Sequence, residues 1–212
     1  MGCGLMPVLR ISIILLPAFS AVLVSAANAQ QACEIEEAQR LFAQQPRPVG
    51  AVERLLQACV SAGATDYRIF MFQGVMARDA GDTDRAIELL QKAHQAAPGE
   101  PSPALELAFT LERQHGRAAA EIYEEILSED PSSRPALLGV ARVAREQYRL
   151  DKARDIYVQL LKKNPRDPDA LNGLAWVALA ERNREEARAG FQGVLAMDPQ
   201  NPGGTDRPVQ GR

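Results

Sequence analysis

Histidine, lysine and tryptophan are nearly missing from this 212-residue chain. The two histidines, His94 and His115, stand in no metal-ligand spacing to Cys, Asp or Glu, so both read as structural and no metal site is expected. Lysine occurs only at positions 92, 152, 162 and 163, which leaves arginine as almost the whole cationic complement. With 24 Lys and Arg against 27 Asp and Glu, the mild acidic excess argues against nucleic acid as a target. There is no Gly-rich phosphate loop, no G-x-S-x-G and no Cys-His arrangement of shared location, so no catalytic residues, no cofactor and no enzyme are expected. Carboxylate runs such as Glu121, Glu124 and Glu125 read as a solvated helix face. No strand-like alternation of apolar and polar residues appears after residue 66, which makes the fold class all-α.

Charge is also lacking at the start. Arg10 is the only charged residue before Glu34, and it precedes an apolar run from Ile11 to Ala26 that ends in Ala27-Asn28-Ala29. These are the three regions of a secretory signal peptide, with cleavage expected after Ala29; a retained membrane anchor is the alternative. The run is shorter than the roughly 20 residues a spanning helix needs. Neither Cys3 nor Cys33 lies in a lipid-attachment motif. The expectation is an exported protein, periplasmic in a bacterium, that meets a membrane only through envelope partners.

What the chain does have is a repeat. Ala153 and Ala187, Tyr157 and Phe191, Leu160 and Val194, and Pro165 and Pro199 each stand 34 residues apart. The same small, large, medium and proline series occurs at Ala86, Leu90, Ala93 and Pro98 and at Ala119, Tyr123, Ile126 and Pro131. The step from Ala86 to Ala119 is one residue short, which places a deletion in the turn around His115-Gly116. Preceding each series is a second apolar face at helical spacing: Phe70, Gly74 and Ala77; Ala104, Leu107, Ala108 and Leu111; Leu137, Val140, Ala141 and Ala144; Leu171, Leu174, Ala175 and Ala178. A small residue in each half lets two antiparallel helices approach closely, and the large residue fills the space beside that contact. Proline then ends one repeat and begins the next. Between the halves, Asp82 or Thr83 is placed to cap a second helix.

These marks resemble the tetratricopeptide repeat family, with small residues at position 8 (Gly74, Ala108, Ala141, Ala175) and position 20, a large one at 24 and proline at 32. The family's Trp at position 4 is replaced by Phe70, Ala104, Leu137 and Leu171, and its Tyr at 11 by Ala or Leu. The resemblance implies a right-handed superhelical solenoid of antiparallel helix pairs. Four units are expected at 67–100, 101–133, 134–167 and 168–201, followed by a disordered tail at 202–212. Residues 30–66 read as a degenerate N-terminal capping pair, with Ile35, Ala38 and Phe42 on one face and Ala51, Leu55 and Ala58 on the other. Antiparallel packing of that pair sets Cys33 beside Cys59, and in an oxidising compartment a disulfide is expected; two buried free thiols are the alternative.

The resemblance further implies that first helices line a concave groove, chiefly through positions 2, 5, 9, 12 and 13. The candidate partner-binding residues are Met71, Val75 and Arg78, then Leu105, Phe109 and Arg113, then Leu138, Arg142 and Arg145, then Asn172 and Trp176. They lack the Lys and Asn clamp of relatives that grip a C-terminal carboxylate, and a mixed apolar and Arg surface fits an extended segment with a hydrophobic side chain and an acidic group. Phe109 packing on the next unit, and Arg145 pairing with Glu112 or Glu146, are the scaffold alternatives. Two functions follow: a non-catalytic scaffold of the envelope that holds a peptide or protein in the groove, or a structural subunit of an envelope assembly such as a pilus, secretion or exopolysaccharide export machine. An apolar face left on Phe191, Val194, Leu195 and Met197 adds the expectation of self-association or docking through the C-terminal unit.

Overall fold

The computed structural model describes residues 33–197, and among them it contains ten α-helices and no strand. The expected signal peptide at 1–29, residues 30–32, residues 198–201 and the expected tail at 202–212 lie outside the described residues. The chain divides into two compact parts between Ala64 and Thr65.

The first part holds α1 (Ile35–Phe42) and α2 (Val49–Ser61), packed on one another. Ile35 and Ala38 are buried from α1, and Val52, Leu56 and Cys59 from α2. The buried stripe of α2 therefore runs one residue later than the Ala51, Leu55 and Ala58 face expected: Ala51 and Leu55 are half-buried and Ala58 is exposed. Val52 and Cys59 gain more from burial than Ala51 and Ala58 would, while Leu56 takes the place of Leu55 at equal size. Cys33, two residues ahead of α1, is disulfide-bonded to Cys59. In the turn between the helices Arg47 lies 3.9 Å over the Phe42 ring and its Nε donates to the Phe42 carbonyl at 3.0 Å.

The second part is an all-α repeat solenoid. Its helices are α3 (Tyr67–Asp79), α4 (Thr83–Ala96), α5 (Pro101–Leu111), α6 (Gly116–Glu129), α7 (Arg134–Glu146), α8 (Leu150–Lys163), α9 (Pro168–Ala180) and α10 (Arg184–Met197). Each helix packs on its neighbour in sequence, and the first helices α3, α5, α7 and α9 also touch in succession. Asp66, Asp82 and Asp167 cap α3, α4 and α9 by accepting hydrogen bonds from backbone amides of the first turn.

Side-chain size sets the packing. Ala86, Ala119, Ala153 and Ala187 are buried, and so are Gly74, Ala108, Ala141 and Ala175 across from them. A Cβ on Gly74 would stand 2.7 Å from Leu90 Cγ, so only hydrogen fits there. Between repeats a second close approach appears that the position pattern did not disclose. Gly139 of α7 lies against the Tyr123 ring of α6, where a Cβ would come within 2.2 Å, and Gly173 of α9 lies against Tyr157 of α8 at 2.3 Å. Each tyrosine is thereby 1% exposed.

The one-residue deletion falls on a particular residue. In three repeats the first helix ends in a left-handed residue, Gly81 (φ 88), Tyr148 (φ 58) or Arg182 (φ 65), after which Asp82, Arg149 and Asn183 donate back to the carbonyls of Ala77, Ala144 and Ala178. α5 instead stops at Leu111, and His115 donates to the Leu111 carbonyl at 2.7 Å without a left-handed residue. The repeat is short because it lacks this residue and closes its helix another way.

Candidate functional site

The candidate residues fall into three groups. Val75, Leu138 and Asn172 are buried at 1%, 6% and 7% and face the interior. Met71, Arg78, Leu105, Phe109, Arg142 and Arg145 are half-buried. Arg113 and Trp176 are exposed, Trp176 at 40%. The surface offered by the first helices is thus made by the last two groups.

A single geometric rule connects them. The residue at position 12 of each first helix reaches the residue at position 9 of the next. Arg78 of α3 places its guanidinium 5.0 Å from the centroid of the Phe109 ring on α5. Glu112, capping the end of α5, takes hydrogen bonds from Arg142 of α7 at 2.6 and 2.9 Å. Arg145 of α7 lies 5.8 Å over the Trp176 ring of α9. The three junctions therefore use a cation on a ring, an ion pair, and a cation on a ring in the same place. Arg142 also lies 5.6 Å from Phe109, so that ring has a guanidinium from each neighbouring repeat.

The middle junction is the driest. Glu112 is 6% exposed and accepts a third hydrogen bond, from the Tyr123 hydroxyl at 2.6 Å. Burial works to lower the pKa of Arg142, but the Glu112 carboxylate beside it prevails and holds it above its ordinary value. Burial, and then the Glu112 charge, push the Tyr123 hydroxyl above its usual range, so it stays a neutral donor. Arg142 is thereby committed to the scaffold. The sequence alternative that paired Glu112 with Arg145 is corrected: Arg142 takes Glu112, and Arg145 goes to the Trp176 face.

Arg78 is also engaged, with Glu106 at 2.7 Å and Thr110 Oγ1 at 3.3 Å. At the other edge Arg134 forks onto Asp167 with two bonds of 2.7 Å and reaches Asp169 as well, tying α7 to the start of α9. Burial of Asp167 works against its charge, yet Arg134 and the capped amides hold its carboxyl below the ordinary value. The exposed chemistry that remains is concentrated at Trp176, whose ring also meets Phe191 of α10 edge-on, centroids 5.2 Å apart.

Asp167, Arg134, Gly139 and Gly173 were not singled out in the sequence, whereas Glu112 stood at position 12 of the second unit and as an alternative partner of Arg145. Glu112 was visible as an acid 30 residues ahead of Arg142, where the other junctions place an arginine ahead of an aromatic. Neither histidine joins the row: His94 lies in the last turn of α4 and His115 stands just ahead of α6. Among the described residues no three His, Cys, Asp or Glu side chains are grouped to hold a metal, and no helix is long and apolar enough to cross a membrane.

Comparison with known proteins agrees with this architecture. A family model described as the protein kinase G tetratricopeptide repeat matches residues 20–167, and one described as tetratricopeptide repeat matches residues 141–202. No curated protein matches the sequence. Among solved structures, a tetratricopeptide repeat protein from Parabacteroides merdae ATCC 43184 is similar with a TM-score of 0.63 at 18% identity, covering 84% of this chain and 68% of that one. A thermophilic TPR protein of Thermus thermophilus gives 0.58 at 19% identity, covering 63% of this chain and 75% of its own. The MamA protein gives 0.58 at 15%, covering 84% and 93%. At identities of this size the TM-scores show a shared fold alone.

Proposed function

The chain belongs to the tetratricopeptide repeat family, and from that premise we propose that it is a non-catalytic scaffold that holds a protein segment against its first helices α3, α5, α7 and α9. Proteins of this family bind protein partners. The observation that carries the reading here is Trp176, an aromatic 40% exposed on the first-helix row with the Arg145 guanidinium over its ring. Half-buried Met71, Leu105 and Phe109 extend an apolar track along the row, and exposed Arg113 adds positive charge beside it. A segment with one hydrophobic side chain and a neighbouring carboxylate satisfies both features.

The scaffold is proposed to work outside the cytoplasm, in the bacterial envelope. Support comes from the Arg10, apolar and Ala27-Asn28-Ala29 series and from the Cys33–Cys59 bridge, which oxidising compartments preserve.

Trp176 is the only tryptophan, so its emission reports on this face directly. Peptides selected from a random library on the full chain are expected to combine an apolar residue with an acid, to shift the emission of Trp176, and to lose binding in Trp176→Ala/Arg145→Glu. Selected peptides that leave the emission unchanged and tolerate both substitutions would refute the assignment.

A further inference from the structure

The second helices carry a pattern of their own. α8 seats α9 through two residues three positions apart. Tyr157 lies against Gly173, and Arg154 pairs with Glu181, eight residues after that glycine. Leu161, four residues beyond Tyr157, packs at the edge of the same core cluster. One repeat later α10 presents the same three features at the same spacings: Arg188, Phe191 and Leu195.

On α8 these features are covered, and on α10 they are not. Tyr157 is 1% exposed and Leu161 half-buried, whereas Phe191 is half-buried and Leu195 is 41% exposed. Arg188 is exposed and has no ion pair among the described residues, although its counterpart Arg154 bonds Glu181 and also lies 3.5 Å from Glu186. Leu179 and Met197, at 40% and 38% exposure, add further apolar area to this end.

We propose that the α10 face formed by Arg188, Phe191 and Leu195 is a seat for a helix of another protein, one carrying glycine or alanine followed eight residues later by glutamate or aspartate. The small residue lies on the Phe191 ring as Gly173 lies on Tyr157, and the carboxylate meets Arg188 as Glu181 meets Arg154. Continuity with the α8–α9 interface and the unmatched positive charge both define this occupant. A second copy of the chain does not supply it. On the single helices of the array, each taken with its capping residues, a small residue precedes an acid at this spacing in Ala104/Glu112, Gly116/Glu124 and Gly173/Glu181, and in the sequence Gly190 precedes Asp198, which lies outside the described residues. All are engaged: Glu112 on Arg142, Glu124 on Lys152, Glu181 on Arg154 and Gly190 against Ala175. Residues 198–212 contain no small residue followed at that distance by an acid. The seat lies on a second helix, and its Phe191 ring borders the first-helix face proposed above through the edge-on contact with Trp176.

The test uses the full chain and a labelled synthetic peptide with the sequence of residues 167–182, held helical by a staple away from Gly173 and Glu181. Fluorescence anisotropy is expected to show saturable binding, weakened at least about tenfold by Arg188→Glu (about 1.4 kcal/mol) and restored when the peptide carries Glu181→Arg. A peptide with Gly173→Leu and Glu181→Lys is expected to bind the wild-type chain at least about tenfold more weakly. Equal binding of the two peptides, or indifference to Arg188→Glu, overturns the proposal. So does sedimentation showing a dimer that Leu195→Glu dissolves, which gives the face to a second copy. Binding that appears only after residues 198–212 are cleaved away gives it to the chain's own end and overturns it as well.

Discussion

Glu112 and Arg142, one at the end of α5 and the other in α7, form a two-pronged ion pair in the only junction of the array where neither residue is aromatic. The Tyr123 hydroxyl fills a further acceptor site on the carboxylate, so the pair is satisfied by hydrogen bonds as well as by charge. Ion pairs as dry as this one contribute less by their attraction than their disruption costs.

Glu112→Gln is therefore expected to lower the stability of the array by about 3 kcal/mol, because it leaves the Arg142 charge buried without its counterion. Tyr123→Phe removes one hydrogen bond to a charged acceptor and is expected to cost about 1.5 kcal/mol. Chemical denaturation followed by circular dichroism measures both. If Glu112→Gln unfolded at the wild-type midpoint, the pair would have no structural role.

Gly173→Ala and Gly139→Ala drive a methyl into a tyrosine ring, where even the nearest atoms are 2.3 and 2.2 Å away. Each is expected to destabilise by about 2 kcal/mol, more than the roughly 1 kcal/mol that alanine gains in helix propensity. Gly193 in α10 meets nothing within 4 Å, so Gly193→Ala is expected to stabilise by up to about 1 kcal/mol. Opposite signs in thermal unfolding check the size argument; a common sign would refute it.

Tyr148 and Arg182 occupy the left-handed conformation that Gly81 takes in the first repeat. Tyr148→Gly and Arg182→Gly relieve that strain and are expected to raise stability by about 0.5–1 kcal/mol each, while Gly81→Ala lowers it by about 1 kcal/mol. Measured midpoints in urea decide the matter.

Asp167 titrates below its unfolded value because Arg134 and the capped amides favour the carboxylate. Its contribution is complete above an unfolded pKa of about 3.9 and disappears as the pH falls through the lower folded value. The melting temperature of the wild type is thus expected to fall more steeply below about pH 4 than that of Asp167→Asn, which keeps a capping oxygen and lacks the charge. Parallel curves would show that Arg134 does not hold this carboxylate.

The helix pairs were legible because their determinants are local. Ala153 and Ala187 repeat at fixed spacing, and Asp82 precedes the helix it caps. The junctions were less legible because they join residues roughly 30 positions apart whose chemistry changes from one to the next. Arg142 read as a surface cation, since nothing beside it in sequence marks Glu112 as its partner. Val75, Leu138 and Asn172 occupy positions that line the groove by resemblance, yet here they turn inward, where their side chains are covered by the array itself. In α2 the preference for alanine at small positions misplaced the buried stripe by one residue, and the bulkier Val52 and Cys59, with Leu56 between them, took it.

The glycine seats also restrict how such a gene can lengthen. A duplicated segment must match the ring that precedes it, and the sixth residue differs among the repeats: Phe72, Glu106, Gly139 and Gly173. A copy of the second or first repeat inserted after Tyr157 would bring Glu106 or Phe72 onto a ring that accommodates only hydrogen. A copy of the fourth repeat inserted after itself would bring another Gly173 onto Phe191 and another Glu181 to Arg188. Tandem duplication is thus tolerated for the third and fourth repeats, which bring glycine to the preceding ring, and resisted for the second, whose Glu106 would meet Tyr123, so steric inheritance limits which repeat can follow which.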